Sequence, residues 1–288
     1  MKKIFLDDFQ IHDNLADIGC FVSPGVQGLE SPDVRLSSFV RPNVDGAVVP
    51  SQLWGGRLLT LDGVVYANTA TAYRKKRMAL EGATGIQKDF SGNLRAITLR
   101  LETMDGLSLQ VEVFTRKLVF VDNYTTHGRF RLEFFAPSFS LLSQRLSNQD
   151  IFIFFGGGMA IPLAIPTSMN VAGSTLIKLN NNGNMESFPI FTFFGPLTNP
   201  VFSNLTTNKS FSLAYTLTSA SQNITIDTNK KTATFRPTQD GSPVNIRQHF
   251  SGDFVTLAPN GNQVKLSNVN YNAQAFCRVS WRDSYSGV

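Results

Sequence analysis

Residues 41–46 read Arg-Pro-Asn-Val-Asp-Gly and residues 54–57 read Trp-Gly-Gly-Arg, directly before a segment of strand-like alternation from Leu58 to Tyr66. Glycine permits positive φ angles and close backbone approach. Pro42 restricts its own φ and favours an extended conformation for the residue before it. The stretch therefore predicts a shaped, partly rigid loop that leads into a strand.

These residues resemble the N-terminal domain of siphophage distal tail proteins. The resemblance rests on Arg-Pro at 41–42, Asp-Gly at 45–46, the aromatic-Gly-Gly-Arg motif at 54–57 and a following strand with a central Gly63. The closing residues 281–285, Trp-Arg-Asp-Ser-Tyr, are similar to the C-terminal end of the same family. The resemblance thus spans nearly the whole chain.

The resemblance implies a mainly β protein, with an N-terminal β-rich domain that contains one helix and a C-terminal galectin-like β-sandwich. We assign residues 1–135 to the N-terminal ring-forming domain, residues 136–150 to a linker and residues 151–288 to the sandwich. In such a protein six copies of the first domain form a ring that continues the tail tube, and the sandwich projects outward.

For function, the resemblance implies a structural virion protein of the tail tip that is assembled in the bacterial host cytoplasm. The expected partners are further copies in a homo-hexamer, the tail tube protein, a tail-associated tip protein and receptor-binding proteins. Genomic DNA is expected to pass through the channel of the ring without specific binding. No membrane insertion, metal or other cofactor is expected.

Six residues of the opening motif form the candidate site for the ring contact: Arg41, Asp45, Trp54, Gly55, Gly56 and Arg57. One hypothesis is that they fix the N-terminal domain and its contact with a neighbouring copy. The alternative is that they only pack turns within their own domain.

Composition supports the β assignment independently of the resemblance. The 288 residues include 24 Phe, 22 Gly and 13 Pro, and only 16% are charged, which is typical of β proteins with wide buried or partner-facing surfaces. The net charge is +5, but the one dense basic cluster is residues 74–77, Arg-Lys-Lys-Arg. That cluster is either the solvated face of a helix or a DNA contact.

Periodicity predicts one helix near residues 71–83 and a hairpin within residues 94–114. Thr69 or Thr71 can cap the helix at its start, and Gly82 or Gly85 can end it. The hairpin register favours a three-residue loop at 104–106, because this loop pairs apolar residues with apolar residues on one face. We expect this hairpin to complete the sheet of a neighbouring copy.

The sequence contains no motif that indicates catalysis. The three histidines are isolated, the cysteines at positions 20 and 277 have no metal-site spacing, and no phosphate or dinucleotide fingerprint occurs. We predict buried free thiols, a strand-turn-strand at 151–166 and no enzymatic activity. Two alternatives to the tail-ring hypothesis stay open: a carbohydrate- or receptor-binding module of the phage tail, and a hydrolase of cell-wall glycan.

Overall fold

The computed structural model describes residues 1–42, 44–122, 124–152, 174–267 and 275–288. These residues form two compact units, each with its own hydrophobic core. The first unit comprises Met1–Gln144 and Tyr285–Val288, and the second comprises Arg145–Ser284. Most of the strand-turn-strand predicted at 151–166 lies outside the described residues.

The first unit is a β structure with one helix, as predicted. Its elements are β1 Lys3–Leu6, β2 Phe9–Asp13, β3 Cys20–Gln27, β4 Val34–Val40, β5 Ala47–Trp54, β6 Arg57–Tyr66, α1 Ala70–Thr84, β7 Ile97–Glu102, β8 Ser108–Phe120, β9 His127–Ala136 and β10 Leu141–Ser143.

Most of these strands join one antiparallel sheet in the order β2-β1-β7-β8-β9-β6-β3, and β10 pairs with β8. Strand β6 alternates buried and less buried residues along its whole length, because successive side chains of a strand point to opposite faces. The buried face supplies the first core, which includes Leu61, Leu99, Leu132 and Phe134. The sheet curls, so that the N–H of Val22 on β3 donates to Nδ1 of His12 on β2 at 3.2 Å.

Helix α1 is flanked by two of the residues that the sequence predicts as caps. The side-chain oxygen of Thr69 accepts a hydrogen bond from the N–H of Ala72 at 3.2 Å, and Gly85 follows the last turn. Tyr73 and Leu80 are buried, which places one side of the helix against the sheet. Arg74 and the residue after it are exposed, so this part of the basic cluster forms a solvated helix face.

The hairpin of β7 and β8 has the predicted register. Leu101 pairs with Leu109, Leu99 pairs with Val111, and the loop spans residues 104–106. The expectation that this hairpin completes the sheet of a neighbouring copy is wrong. Strand β7 pairs with β1 on its other side, and the part of β8 in the hairpin pairs with β10, so the hairpin lies inside the sheet.

The second unit is a sandwich of two antiparallel sheets. Its elements are β11 Ser147–Phe152, β12 Ser174–Asn181, β13 Ile190–Phe194, β14 Leu197–Thr198, β15 Val201–Asn204, β16 Lys209–Leu213, β17 Thr216–Leu217, β18 Asn223–Asp227, β19 Thr232–Arg236, β20 Val244–Asn245, a 3₁₀ turn Arg247–His249, β21 Phe250–Gly252, β22 Asn260–Ser267 and β23 Phe276–Trp281. The last strand of the chain, β24 Ser284–Tyr285, pairs with β10.

One sheet has the order β11-β23-β13-β18-β19-β20 and the other has the order β12-β22-β15-β16-β21. Phe191 of the first sheet meets Phe202 and Phe211 of the second, with ring centroids 4.5 and 5.3 Å apart. Cys277 and Trp281 of β23 also face this core, so the thiol of Cys277 is buried. The core of the second unit is therefore rich in aromatic rings that lie between its two sheets.

The segment 136–150, predicted as a linker, carries regular structure. Strand β10 pairs with β8 of the first unit, and β11 pairs with β23 of the second. The break at residues 136–138 that suggested a linker marks only the end of β9. Within the described ranges, no helix combines the length and the apolarity that crossing a membrane requires.

Candidate functional site

Strands β4 and β5 form a two-stranded hairpin, called the arm here, that pairs with no other strand in the described part of the chain. Val34 pairs with Trp54 at the base of the arm, and Val40 pairs with Ala47 near its tip. A single two-stranded hairpin is marginally stable in water. The two strands of the arm therefore contribute little stability by themselves.

The side chains of the arm are unusually apolar for an exposed segment. An exposed cluster of large apolar side chains, as opposed to scattered single ones, marks an interaction surface. The exposed fractions are 61% for Leu36, 56% for Phe39, 79% for Val40, 52% for Val49, 58% for Leu53 and 42% for Trp54. These residues come from both strands and lie on both faces of the arm.

Arg41 and Asp45 lie at the tip of the arm, where the chain turns from β4 to β5, and both are exposed. The N–H of Arg41 donates to the carbonyl of Gly46 at 3.4 Å, and Gly46 has a φ of +99°. A positive φ of this kind favours glycine, so Asp45 and Gly46 close the arm as a turn. The predicted loop is therefore only partly correct, because residues 47–54 form strand β5 instead.

The base of the arm is held by two glycines. The N–H of Gly55 donates to the carbonyl of Asp33 at 2.7 Å and so joins the two chain ends of the arm. A Cβ at Gly56 would lie 2.8 Å from the carbonyl oxygen of Ala136 and 2.8 Å from the ring of Phe135. Gly56 is thus required for the close approach of the chain to the end of β9.

Arg57 is the anchor of the base, and it is only 2% exposed. Its guanidinium donates to the carbonyl oxygens of Glu30 at 2.5 Å, of Phe139 at 2.6 and 2.8 Å, and of Ser286. Burial lowers the pKa of this guanidinium, and the charge of Glu30 partly opposes the shift. Because arginine stays protonated in proteins, it can tie three separate segments of backbone together.

The six predicted residues therefore fall into two groups. Gly55, Gly56 and Arg57 pack within the first unit. This agrees with the alternative hypothesis, in which all six residues only pack turns within their own domain. Arg41, Asp45 and Trp54 lie on the exposed arm, where a contact with another molecule is sterically open. The base fixes the position of the arm, and the arm presents the apolar side chains.

Sequence reasoning missed the partners of Arg57. All three acceptors, in Glu30, Phe139 and Ser286, are backbone carbonyls, which every residue type supplies. A second link of the same kind joins the C-terminal segment to this base, because the N–H of Val288 donates to the carbonyl of Leu29 at 3.2 Å. The only signal in the sequence was that residues 41–57 and residues 281–285 both resemble motifs of one family.

The described residues offer little for catalysis or metal binding. No group of three or more His, Cys, Asp or Glu lies close enough together to hold a metal ion within these ranges. Burial raises the pKa of the Cys20 thiol to about 12 and also raises the pKa of the Cys277 thiol well above its ordinary value. Trp281 is buried and donates its indole N–H to Asn180, so it offers no face for sugar stacking.

Comparison with solved structures identifies the architecture. Dit (gp 19.1) of phage SPP1, described as a paradigm of the hub adsorption apparatus in phages that infect Gram-positive bacteria, superposes with a TM-score of 0.66. The alignment covers 98% of this chain and 98% of that protein at 12% sequence identity. This chain has the Dit fold.

A chain of the phage p2 baseplate, in its activated conformation with Sr, matches the same Dit fold with a TM-score of 0.50. Here the identity is 10%, and the alignment covers 96% of each chain. No protein-family model and no curated protein sequence matches the chain. The predicted resemblance to distal tail proteins is thus confirmed in the fold, with very little sequence identity left to reveal it.

Proposed function

We propose that this chain is a structural protein of a phage tail tip, in which six copies form a ring that joins the tail tube to the tip proteins. The apolar arm carries this proposal, because an exposed two-stranded hairpin with many large apolar side chains requires a covering surface. The Dit fold, which is also that of a phage adsorption hub, supports the same function.

A closed ring requires a head-to-tail contact, in which one surface of each copy meets a different surface of the next. The arm meets this requirement, since it projects from a base that Arg57 ties to three backbone segments. In the proposed ring the arm of one copy lies against the first unit of its neighbour, and Arg41, Asp45 and Trp54 lie in or beside that contact.

The remaining roles follow from a ring at the tail tip. Its channel lets genomic DNA pass without specific binding, one side joins the tail tube protein and the other joins a tail-associated tip protein. The sandwich, which we take to be galectin-like, is the site that receptor-binding proteins would use. No enzymatic step is assigned to the chain.

Immunogold electron microscopy of the phage that encodes this chain tests the proposal. Antibodies raised against the purified chain are expected to label the distal end of the tail, at the junction of the tube and the tip structure. Labelling of the capsid, uniform labelling along the tail tube, or virions without the chain would overturn the proposal.

A further inference from the structure

The groove between helix α1 and strand β8 is a second exposed surface of the first unit. Arg77, Glu81 and Thr84 of the helix line one wall, and residues 115–120 of the strand line the other. The groove encloses about 690 Å³ and is open to solvent along its length. It is separate from the arm and from the base around Arg57.

The strand wall of this groove has an open edge. Strand β7 pairs with β8 through residues 108–113, and residues 114–120 pair on one side with β9 and on the other side with no strand among the described residues. The N–H of Val121 donates to the carbonyl of Arg129 at 2.8 Å. Because hydrogen-bonding direction alternates along an antiparallel strand, the main-chain groups of Leu118 and Phe120 point away from β9. An extended segment can add to such an edge.

The side chains around this edge are both basic and apolar. Arg116 and Lys117 are exposed, and Arg77 lies with its guanidinium carbon 4.2 Å from the centre of the Phe120 ring. The hydroxyl oxygen of Thr115 is buried and has no hydrogen-bond partner in the described part of the chain. A buried hydroxyl without a partner is costly, so an incoming polar group would relieve it.

We infer that this groove binds an extended segment, rich in carboxylates and apolar side chains, of a different protein. Arg77 already pairs with Glu81 at 2.9 Å, and Lys117 lies opposite Glu133 of β9, so the three cations still exceed the two carboxylates through Arg116. This net positive charge favours an acidic partner, and the apolar floor and open strand edge favour a polypeptide over a nucleic acid. In this pose the segment pairs with the edge at Leu118 and Phe120, and one of its carboxylates approaches Thr115.

A second copy of this chain is the less suitable source of the segment. The edge strand β3 and both strands of the arm contain no Asp or Glu. Asp13, the one carboxylate of edge strand β2, already accepts hydrogen bonds from Gln10 and from the backbone of Leu15. The inference goes beyond the ring proposal and can be tested whether or not rings form.

Fluorescence anisotropy of the full chain tests the inference with a labelled eight-residue peptide of alternating valine and glutamate. The double variant Arg116→Glu/Lys117→Glu is expected to weaken binding by at least about tenfold, since it reverses two charges beside the segment. Thr115→Val is expected to weaken binding by about threefold without lowering the melting temperature, because it removes a hydroxyl that has no hydrogen-bond partner among the described residues.

The matched control is Lys230→Glu/Lys231→Glu, which makes the same change of charge at an exposed turn of the sandwich and is expected to leave binding unchanged. Hydrogen exchange of residues 115–121 is expected to slow when the peptide binds. The inference is overturned if the wild-type chain does not bind the peptide, or if the control variant loses as much affinity as the groove variant.

Two further outcomes would contradict the inference that the partner is an acidic segment of a different protein. Equal binding of a labelled eight-nucleotide oligothymidylate, lost in the same groove variant, would show a nucleic-acid site. Loss of ring formation in the groove variant, with no peptide bound by the wild-type chain, would show that a second copy fills the groove. A failure of ring formation in the wild-type chain would count against the ring proposal alone.

Discussion

The double variant Leu36→Ser/Leu53→Ser tests whether the arm makes the ring contact. The two leucines are 61% and 58% exposed and lie on opposite faces of the arm, so the variant removes apolar surface from both faces. Burying a whole leucine side chain contributes roughly 2 kcal/mol, so the exposed part of each can contribute about 1.2 kcal/mol when a neighbour covers it. Together they contribute about 2.4 kcal/mol, which weakens each contact by about 50-fold.

The fold of the chain should change little, because exposed substitutions away from the core usually alter stability by less than about 0.5 kcal/mol each. Analytical ultracentrifugation over a concentration series is the assay. The arm variant is expected to shift from rings to smaller species at concentrations where the wild-type chain is still assembled. Its melting temperature, measured on the dissociated protein, is expected to stay within a few degrees of the wild type.

The matched control is Leu15→Ser/Leu205→Ser, which makes the same chemical change at two leucines off the arm that are 74% and 48% exposed. This variant is expected to assemble like the wild-type chain. The reasoning is refuted if the arm variant assembles at wild-type concentrations, or if the control loses assembly to the same degree.

Three further predictions concern the first unit. Arg57→Lys should lower the free energy of unfolding by about 3 kcal/mol in denaturant titration, because a single ammonium group cannot satisfy three separated carbonyls. The control Arg131→Lys changes an exposed ion pair and should lower it by less than about 1 kcal/mol. Similar losses in both variants would contradict the anchoring role of Arg57. Gly63→Ala should destabilise the unit by at least about 1 kcal/mol, because the new Cβ would lie 2.4 Å from the carbonyl oxygen of Phe21. Gly82→Ala should stabilise the unit by about 1 kcal/mol, because the new Cβ meets no atom and alanine favours the helix. The Cys20 thiol should react with Ellman's reagent only after the chain unfolds. Its raised pKa of about 12 leaves on the order of one thiolate in ten thousand at pH 8. Fast reaction in the native chain would contradict the burial of this thiol.

Elements set by local chemistry were predictable from the sequence. The β7–β8 register follows from apolar alternation on both strands, and Gly106 supplies the positive φ that the three-residue loop requires. The start of α1 follows from the capping oxygen of Thr69. Both features depend on residues that are close in sequence, so a single sequence is sufficient to predict them.

Features set by contacts between distant segments were not predictable in the same way. The β7–β8 hairpin looked like a free edge because nothing in its own sequence indicates that β1 and β10 will pair beside it. The sequence left open whether Arg57 serves a contact with another copy or packs within its own domain, because its acceptors are backbone carbonyls up to 229 positions away in sequence. Only the three-dimensional path of the chain shows that it is an internal anchor.

The exposed arm was partly predictable. The turn residues at its tip and the glycines at its base marked a shaped segment, and the resemblance to distal tail proteins indicated an assembly role. Its isolation from every other described strand depends on the sheet order, which no local pattern gives. The proposed contact residues Arg41, Asp45 and Trp54 therefore stay a prediction until the assembled form is observed.

Native mass spectrometry of the purified full chain, with negative-stain images of the same sample, tests the central claim most directly. The account predicts a species of six copies, six times 31.7 kDa or about 190 kDa, and closed rings with an open centre. A chain that stays monomeric at all concentrations, or that forms dimers or trimers without a central opening, would contradict the claim that this protein assembles as a tail-tip ring.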